Sequence, residues 1–349
     1  MASCCSSICS LKSLFIFFVL SAIPIAYLVS LELATPATPV FFYRGPGWFR
    51  ECAKWDDHHR RFLISSFAGA VSQLTAPDDH SPETVLSEVP LIKDADVAGN
   101  ATLGLVIDRP RNRLLVVAAD LMGNRYAALL AYDLTTLNRL FHTQLSGPND
   151  EKSLADDVAV DAEGNAYVTD CVGNKIWKVG VDGKFISIIR NPLFTTTQWY
   201  KNLVGLNGIV YHQDGFLIAV HTFSGNLLKI DLTKGEEVKL IKVAGGPLTF
   251  GDGLELLSPT KLVVAGRPSA RLVESSDGWE TASVVATFSG PKRRMASAAT
   301  VKDGKVYLNH LFGLGFPKPK HAIIEAICLI STTLPHEILK ISQLDSYKH

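Results

Sequence analysis

Residues Leu154 to Val168 read LADDVAVDAEGNAYV, and Thr169-Asp170 closes the stretch. Two short apolar runs, DVAV and NAYV, flank Asp161-Ala162-Glu163-Gly164, residue types that favour a tight turn. An acidic pair, Asp156 and Asp157, stands just before the first run. The stretch is therefore a hairpin, and variants of it recur along the chain. With Asp161 as the reference turn position, the counterparts are Asp56, Asp108, His212, Leu257 and Lys302. Successive intervals are 52, 53, 51, 45 and 45 residues, a spacing typical of propeller blades.

Each repeat contains further strand-like runs. The third continues with KIWKVGV and KFISII, and the first offers AKWD, RFLISSF, AVSQL and ETVLSEV. The sixth begins SAATV and KVYLNH, with AIIEAIC and HEILKIS as its expected outer strands. A lone four-stranded sheet with two apolar faces is not stable in water. Six of them packed radially bury both faces of each and leave only short edges. The expected fold is all-β, a six-bladed β-propeller over residues 41–349. A doubly wound α/β domain is excluded because the strand-like runs are joined by turns rather than by amphipathic segments of helical length. A β-helix would repeat over shorter coils.

The N-terminus reads differently. Leu14 to Leu31 form an uncharged apolar run of 18 residues between Lys12 and Glu32. That is long for a signal-peptide core and at the lower limit for a membrane span. Residues 1–34 are expected to be a signal peptide or a signal-anchor helix, and residues 35–40 a linker. Both readings place the propeller in the secretory lumen or outside the cell, either secreted or tethered to the membrane through residues 14–31. The sequon Asn100-Ala101-Thr102 suits that compartment. Charge is balanced at 34 basic and 34 acidic residues, with no basic run, so nucleic acid is not an expected partner. Cys4, Cys5 and Cys9 precede the apolar run. Cys52, Cys171 and Cys328 allow at most one bridge and lack metal-site spacing.

Stepping back five residues from each turn position gives Glu51, Leu103, Asp156, Asn207, Asp252 and Ser297. In a propeller these residues ring the central channel at one end. Any one of them also suits a turn, but the shared register of three carboxylates and one amide points to a site. Carboxylates converging on a channel repel one another unless a cation lies between them. Oxygen donors without His or Cys suit Ca2+ rather than zinc. The candidate metal ligands are Glu51, Asp156, Asn207 and Asp252. Asp157, one step out of register, is expected to be a turn former pointing away from the channel.

The antiparallel second strands should end at the same mouth, with Ser66, Asp120, Asp170, His221, Arg267 and His310. Either histidine can exchange protons near neutral pH, or simply cap a strand. Trp48, Phe223, Phe312 and Phe316 are expected nearby as an apolar wall.

From about Phe41 onward the chain resembles the senescence-marker-protein, gluconolactonase and paraoxonase superfamily, including strictosidine-synthase-like proteins. The resemblance is carried by ECAKW at Glu51, by DDVAVDAEGNAYVTDCVGNKIWKV at Asp156, by LNGIVY at Leu206 and by GDGLEL at Gly251. It implies a six-bladed propeller with Ca2+ held by Glu51, Asp156, Asn207 and Asp252, Asp156 standing where Asn is common. It also implies hydrolysis of a lactone, ester or phosphotriester, or in one branch condensation of an amine with an aldehyde. The expected function is a calcium-dependent hydrolase of a small hydrophobic lactone or ester. His221 or His310 would be the general base, Asp170 would orient or assist it, and Asp252, if it shifts off the metal, is a further candidate base or nucleophile. No Gly-x-Ser-x-Gly elbow suggests a serine nucleophile. One rival is a non-catalytic luminal or membrane-anchored binding propeller with structural calcium. The other is a condensing enzyme, with Asp170 or Asp120 on the substrate amine.

Overall fold

The computed structural model describes Phe18 and residues 38–330, except 78, 123–125, 268–269 and 290–294. Apart from Phe18, the apolar run at 14–31 lies outside the described residues, as does the HEILKIS segment.

The opening stretch folds as its residues dictate. Asp161 organises the turn: its two carboxylate oxygens accept the backbone N–H of Asn165 at 2.7 Å and the Asn165 side-chain amide at 2.9 Å. Gly164 takes the left-handed backbone the turn needs, at φ 92°. The flanking strands, Ala155–Val160 and Ala166–Asp170, pair antiparallel.

Six such hairpins extend into six four-stranded antiparallel blades. Their inner strands are Ala53–Asp56, Ala101–Asp108, Ala155–Val160, Leu206–His212, Gly251–Ser258 and Ala296–Lys302. Each inner strand packs against the next, and the last packs against the first, closing a ring about an axis. Side-chain alternation explains the arrangement. Along Leu114-Leu115-Val116-Val117, Leu114 and Val116 join a cluster with Leu63 and Val71 of the first blade. Leu115 and Val117 join one with Val158 and Val168 of the third. A hydrophobic cluster of this kind fills each of the six interblade spaces. Each fully buried Leu, Val or Ile contributes about 1.5–3 kcal/mol, so both faces of every sheet are used.

Two outer strands differ from expectation. In the first blade the fourth strand is Val89–Lys93, antiparallel to Ala70–Thr75, and not ETVLSEV. Val85–Ser87 within that run pairs in parallel with Val40–Arg44 instead. In the sixth blade Lys320–Glu325 is the third strand, and the outermost is Val40–Arg44, running from Val40↔Ile324 to Arg44↔Lys320. The two ends of the propeller thus share one blade, and ring closure acquires a ladder of backbone hydrogen bonds. Ile327–Ile330 leaves that blade to pair with Thr281–Ser289 of the fifth. Each segment has the alternation of an edge strand, and sequence patterning does not specify which edge it joins.

Candidate functional site

The column read from the sequence is a column of β-bulges. In the third blade Ala155 pairs with Asp170 and Val158 with Val168, so Asp156 and Asp157 together face Thr169. The same irregularity sets Leu103-Gly104 of the second blade, Asn207-Gly208 of the fourth and Asp252-Gly253 of the fifth against one residue each. Ser297 is the extra residue in the sixth. A bulge re-aims its first side chain, and in the third to sixth blades that residue, Asp156, Asn207, Asp252 or Ser297, lines the axial void, whereas Leu103 of the second packs between blades. The second bulged residue is glycine in three blades for a steric reason. A Cβ on Gly104 would meet the Asp157 Cα at 2.6 Å, and one on Gly253 the Ser297 carbonyl oxygen at 2.6 Å.

Glu51 reaches the axis differently, just before its strand. The buried Asn309 amide donates to the carbonyl of Arg50 at 2.7 Å and to that of Glu51 at 3.3 Å. Beneath this turn Arg50 is fully buried and ion-paired with Glu88 at 2.8 Å.

Glu51, Asp156, Asn207 and Asp252 line one small void together, with Asp157, Lys54 and Ser297. The void is small, ≈ 10 Å³, with room for about one water molecule. Asp157 therefore does not point away as expected. The bulge removes the alternation that would have turned it outward, and its two oxygens accept the N–H groups of Val158 at 2.9 Å and Ile209 at 3.3 Å. Lys54 lies three positions further along the first inner strand, its ammonium 2.6 Å from Glu255 and 3.2 Å from the Ala299 carbonyl. Among the described residues, no three His, Cys, Asp or Glu side chains stand at metal-ligand spacing. The carboxylates line the void without closing on one point.

Their protonation reflects crowding. Burial, reinforced by Asp157, pushes the Glu51 carboxyl up to about 7. Burial and the neighbouring carboxylates, Glu51 foremost, push Asp156 and Asp252 well above the usual range, and an Asn207 hydrogen bond partly offsets this for Asp252. Asp157 is raised to about 6 by burial, with Lys54 and the two amides opposing. Asp156 Oδ2 is buried with no hydrogen-bond partner. The donor set is oxygen-only and anionic, with an unpaired buried acceptor, and those features fit a hard divalent cation.

The histidines are placed differently. His221 and His310 end their second strands opposite Leu206 and Ala296, at the mouth end, but both are fully buried and neither lines the void. Burial pushes His221 down to about 4. Asp170 Oδ1 accepts three backbone N–H groups, from Leu154, Val172 and Gly173 at 2.7–3.1 Å, and so organises its turn. Its other oxygen is 3.3 Å from Lys175. Of the four candidate catalytic residues only Asp252 reaches the void. Asp157, Lys54 and Glu255 are the axial residues that sequence reasoning missed. The last two stand three positions beyond Glu51 and Asp252, a recurrence that was available in the sequence.

Trp48, Phe223, Phe312 and Phe316 all lie on loops at the mouth end. Phe49 stacks on Phe67 at 5.1 Å and meets Phe312 at 5.2 Å, while Phe223 packs edge-on to Phe250. Trp48 and Phe316 are 45% and 87% exposed, so this rim presents aromatic surface to solvent. Cys52 and Cys171 are buried free thiols.

An all-β ring of six blades with an acidic axial void places the chain among β-propellers. No family model and no curated protein matches it in sequence. Solved structures do match its fold. The major allergen Mala s 1 of Malassezia sympodialis superposes with a TM-score of 0.65 at 17% identity, over 87% of this chain and 100% of that one. A luciferin-regenerating enzyme gives 0.52 at 12% identity, over 82% and 95% of the two chains. A streptogramin B lyase gives 0.51 at 12% identity, over 82% and 98%. At these identities the likeness is one of fold.

Proposed function

We propose that this propeller is a calcium-dependent hydrolase of small hydrophobic lactones, esters or phosphotriesters. The observation that carries the reading is the small axial void shared by Glu51, Asp156, Asn207 and Asp252, with the buried Asp156 Oδ2 left unpaired. Those four side chains would hold Ca2+, which when bound polarises a carbonyl or phosphoryl oxygen. Asn207 orients the Asp252 carboxylate through its hydrogen bond. Asp252, the candidate base that lines the void, serves as base only when its carboxylate is off the ion, where it takes the proton of the attacking water and returns it to the leaving oxygen as the carbon–oxygen or phosphorus–oxygen bond breaks. The exposed aromatic rim favours an apolar substrate. Two of the structural neighbours are an enzyme acting in luciferin regeneration and a lyase, so the fold hosts chemistry in other proteins.

A second reading has an observation of its own. Neither histidine lines the void, which has room for about one water molecule. Such a site suits a cation that staples the blades of a non-catalytic binding propeller. Under both readings the apolar run at 14–31 directs the chain to the secretory pathway, as a cleaved signal or a membrane anchor. The propeller is to be assayed against lactones, aryl esters and phosphotriesters, with and without chelator, alongside elemental analysis of the gently purified protein. Stoichiometric calcium with chelator-sensitive hydrolysis supports the hydrolase. Calcium without turnover leaves the structural role, and absence of calcium sinks both.

A further inference from the structure

Below the four candidate ligands the axis carries a second charged tier. Lys54 extends along the channel from the first blade, and its ammonium is fixed between Glu255 of the fifth blade at 2.6 Å and the Ala299 carbonyl of the sixth at 3.2 Å. Asp157 of the third blade completes the tier, held in place by the Val158 and Ile209 amides. Lys54 lines the same void as Glu51, Asp156 and Asp252. The axis thus gathers five carboxylates, Glu51, Asp156, Asp157, Asp252 and Glu255, around a single ammonium. Such a charge imbalance in a confined, partly desolvated space is costly and draws in cations.

We infer that Lys54 is a built-in cation of the lower tier, which limits the axis to one divalent ion held by the upper ligands. This rests on the cation reading given above. Geometry supports it: the ammonium occupies the space between Glu255 and the carbonyl that a second ion would need, and its salt bridge spans two blades. Lys54 is in this sense a specificity-determining residue for how much divalent charge the axis accepts. It acts on the site through charge and position and touches no substrate.

The test is calcium uptake by the folded propeller, followed by equilibrium dialysis and by terbium luminescence. Wild type should take up one equivalent. Lys54→Met should take up a second, or bind the first at least about tenfold more tightly, because one unit of repelling charge has been removed from the channel. Lys54→Arg, which keeps the charge, should behave as wild type. Unchanged stoichiometry and affinity in Lys54→Met would overturn the inference. Should Lys54→Met not fold, Glu255→Gln serves instead. It frees the ammonium to move towards Asp157 and should weaken calcium binding several-fold, and unchanged binding there overturns the inference equally. If wild type binds no divalent ion, the proposed function fails. Lys54→Met is then read alone: acquired uptake supports the built-in cation, and its absence overturns it.

Discussion

The hydroxyl of Thr169 donates a hydrogen bond to the carbonyl of Asn207, 2.7 Å away across the gap between the third and fourth blades. The same oxygen accepts the Asp157 N–H at 3.0 Å. One buried side chain thus couples the bulge carrying Asp156 and Asp157 to the bulge carrying Asn207. Thr169→Val keeps the shape and removes both bonds, leaving a buried N–H and C=O unpaired. A loss of about 1–3 kcal/mol is expected, together with weaker calcium binding because two ligand positions loosen. Urea unfolding and a calcium titration read the two effects, and a neutral result on both would remove the coupling.

Cation removal should expose the charge imbalance of the void. In chelator the propeller is expected to melt at a lower temperature and to recover with Ca2+ more fully than with Mg2+, whose compact octahedral shell suits this spread of donors poorly. Asp252→Asn and Glu51→Gln should weaken calcium binding while leaving a folded protein. Asp156→Asn should be milder, since Asn is the common residue at this position in the superfamily that the sequence resembles. Differential scanning calorimetry across calcium concentrations decides. Identical melting with chelator and calcium would count against the site.

How much of this was legible beforehand follows from physical causes. The blade repeat is written in turn residues such as Asp161 and Gly164, whose backbone demands are local, so the six units and the column at Glu51, Asp156, Asn207 and Asp252 can be read directly. The role of Asp157 could not be read by alternation, because a bulge suspends alternation where it matters. Gly104, Gly208 and Gly253 at the matching positions were the available signal of close contact at the axis. The outer strands were misassigned because Val40–Arg44 and Val89–Lys93 are short edge segments whose partners are chosen by ring closure. The histidines were correctly placed at strand ends but not at the void, since a strand end fixes position along the axis and not distance from it.

His221 gives a pH prediction. Burial lowers its folded pKa to about 4 from an ordinary 6.5, so the unfolded chain binds the extra proton between those values. Its contribution to stability is complete above about pH 6.5 and is lost as pH falls towards 4, reaching about 3 kcal/mol across that window. The raised carboxyls of the void act with the opposite sign, so the comparison must be between wild type and His221→Asn at fixed calcium. The variant should show a smaller loss of stability on acidification. Parallel curves from pH 8 to pH 4.5 would show that the ring ionises freely in the folded state.

Arg50 and Glu88 give the last prediction. Both side chains are buried: Arg50 Nε and one terminal nitrogen bond Glu88 Oε2 at 2.9 and 2.8 Å, and the guanidinium also donates to the carbonyls of Pro46 and Phe49. This network pins the turn that carries Glu51 into the axis. Arg50→Met leaves a buried carboxylate without its partner and should cost about 3–5 kcal/mol. Replacing both, Arg50→Met with Glu88→Leu, removes the stranded charge and should recover much of that loss, since a buried ion pair exchanged for apolar groups is often close to neutral. The double variant still lacks the tethers to Pro46 and Phe49, so its calcium affinity should stay below wild type even where its stability returns. A double-mutant cycle in urea, run beside calcium titrations, separates the two roles. Full recovery of both stability and affinity would mean that the pair supports the fold without positioning Glu51. A single Arg50→Met loss below about 1 kcal/mol would mean that the pair is not buried in solution.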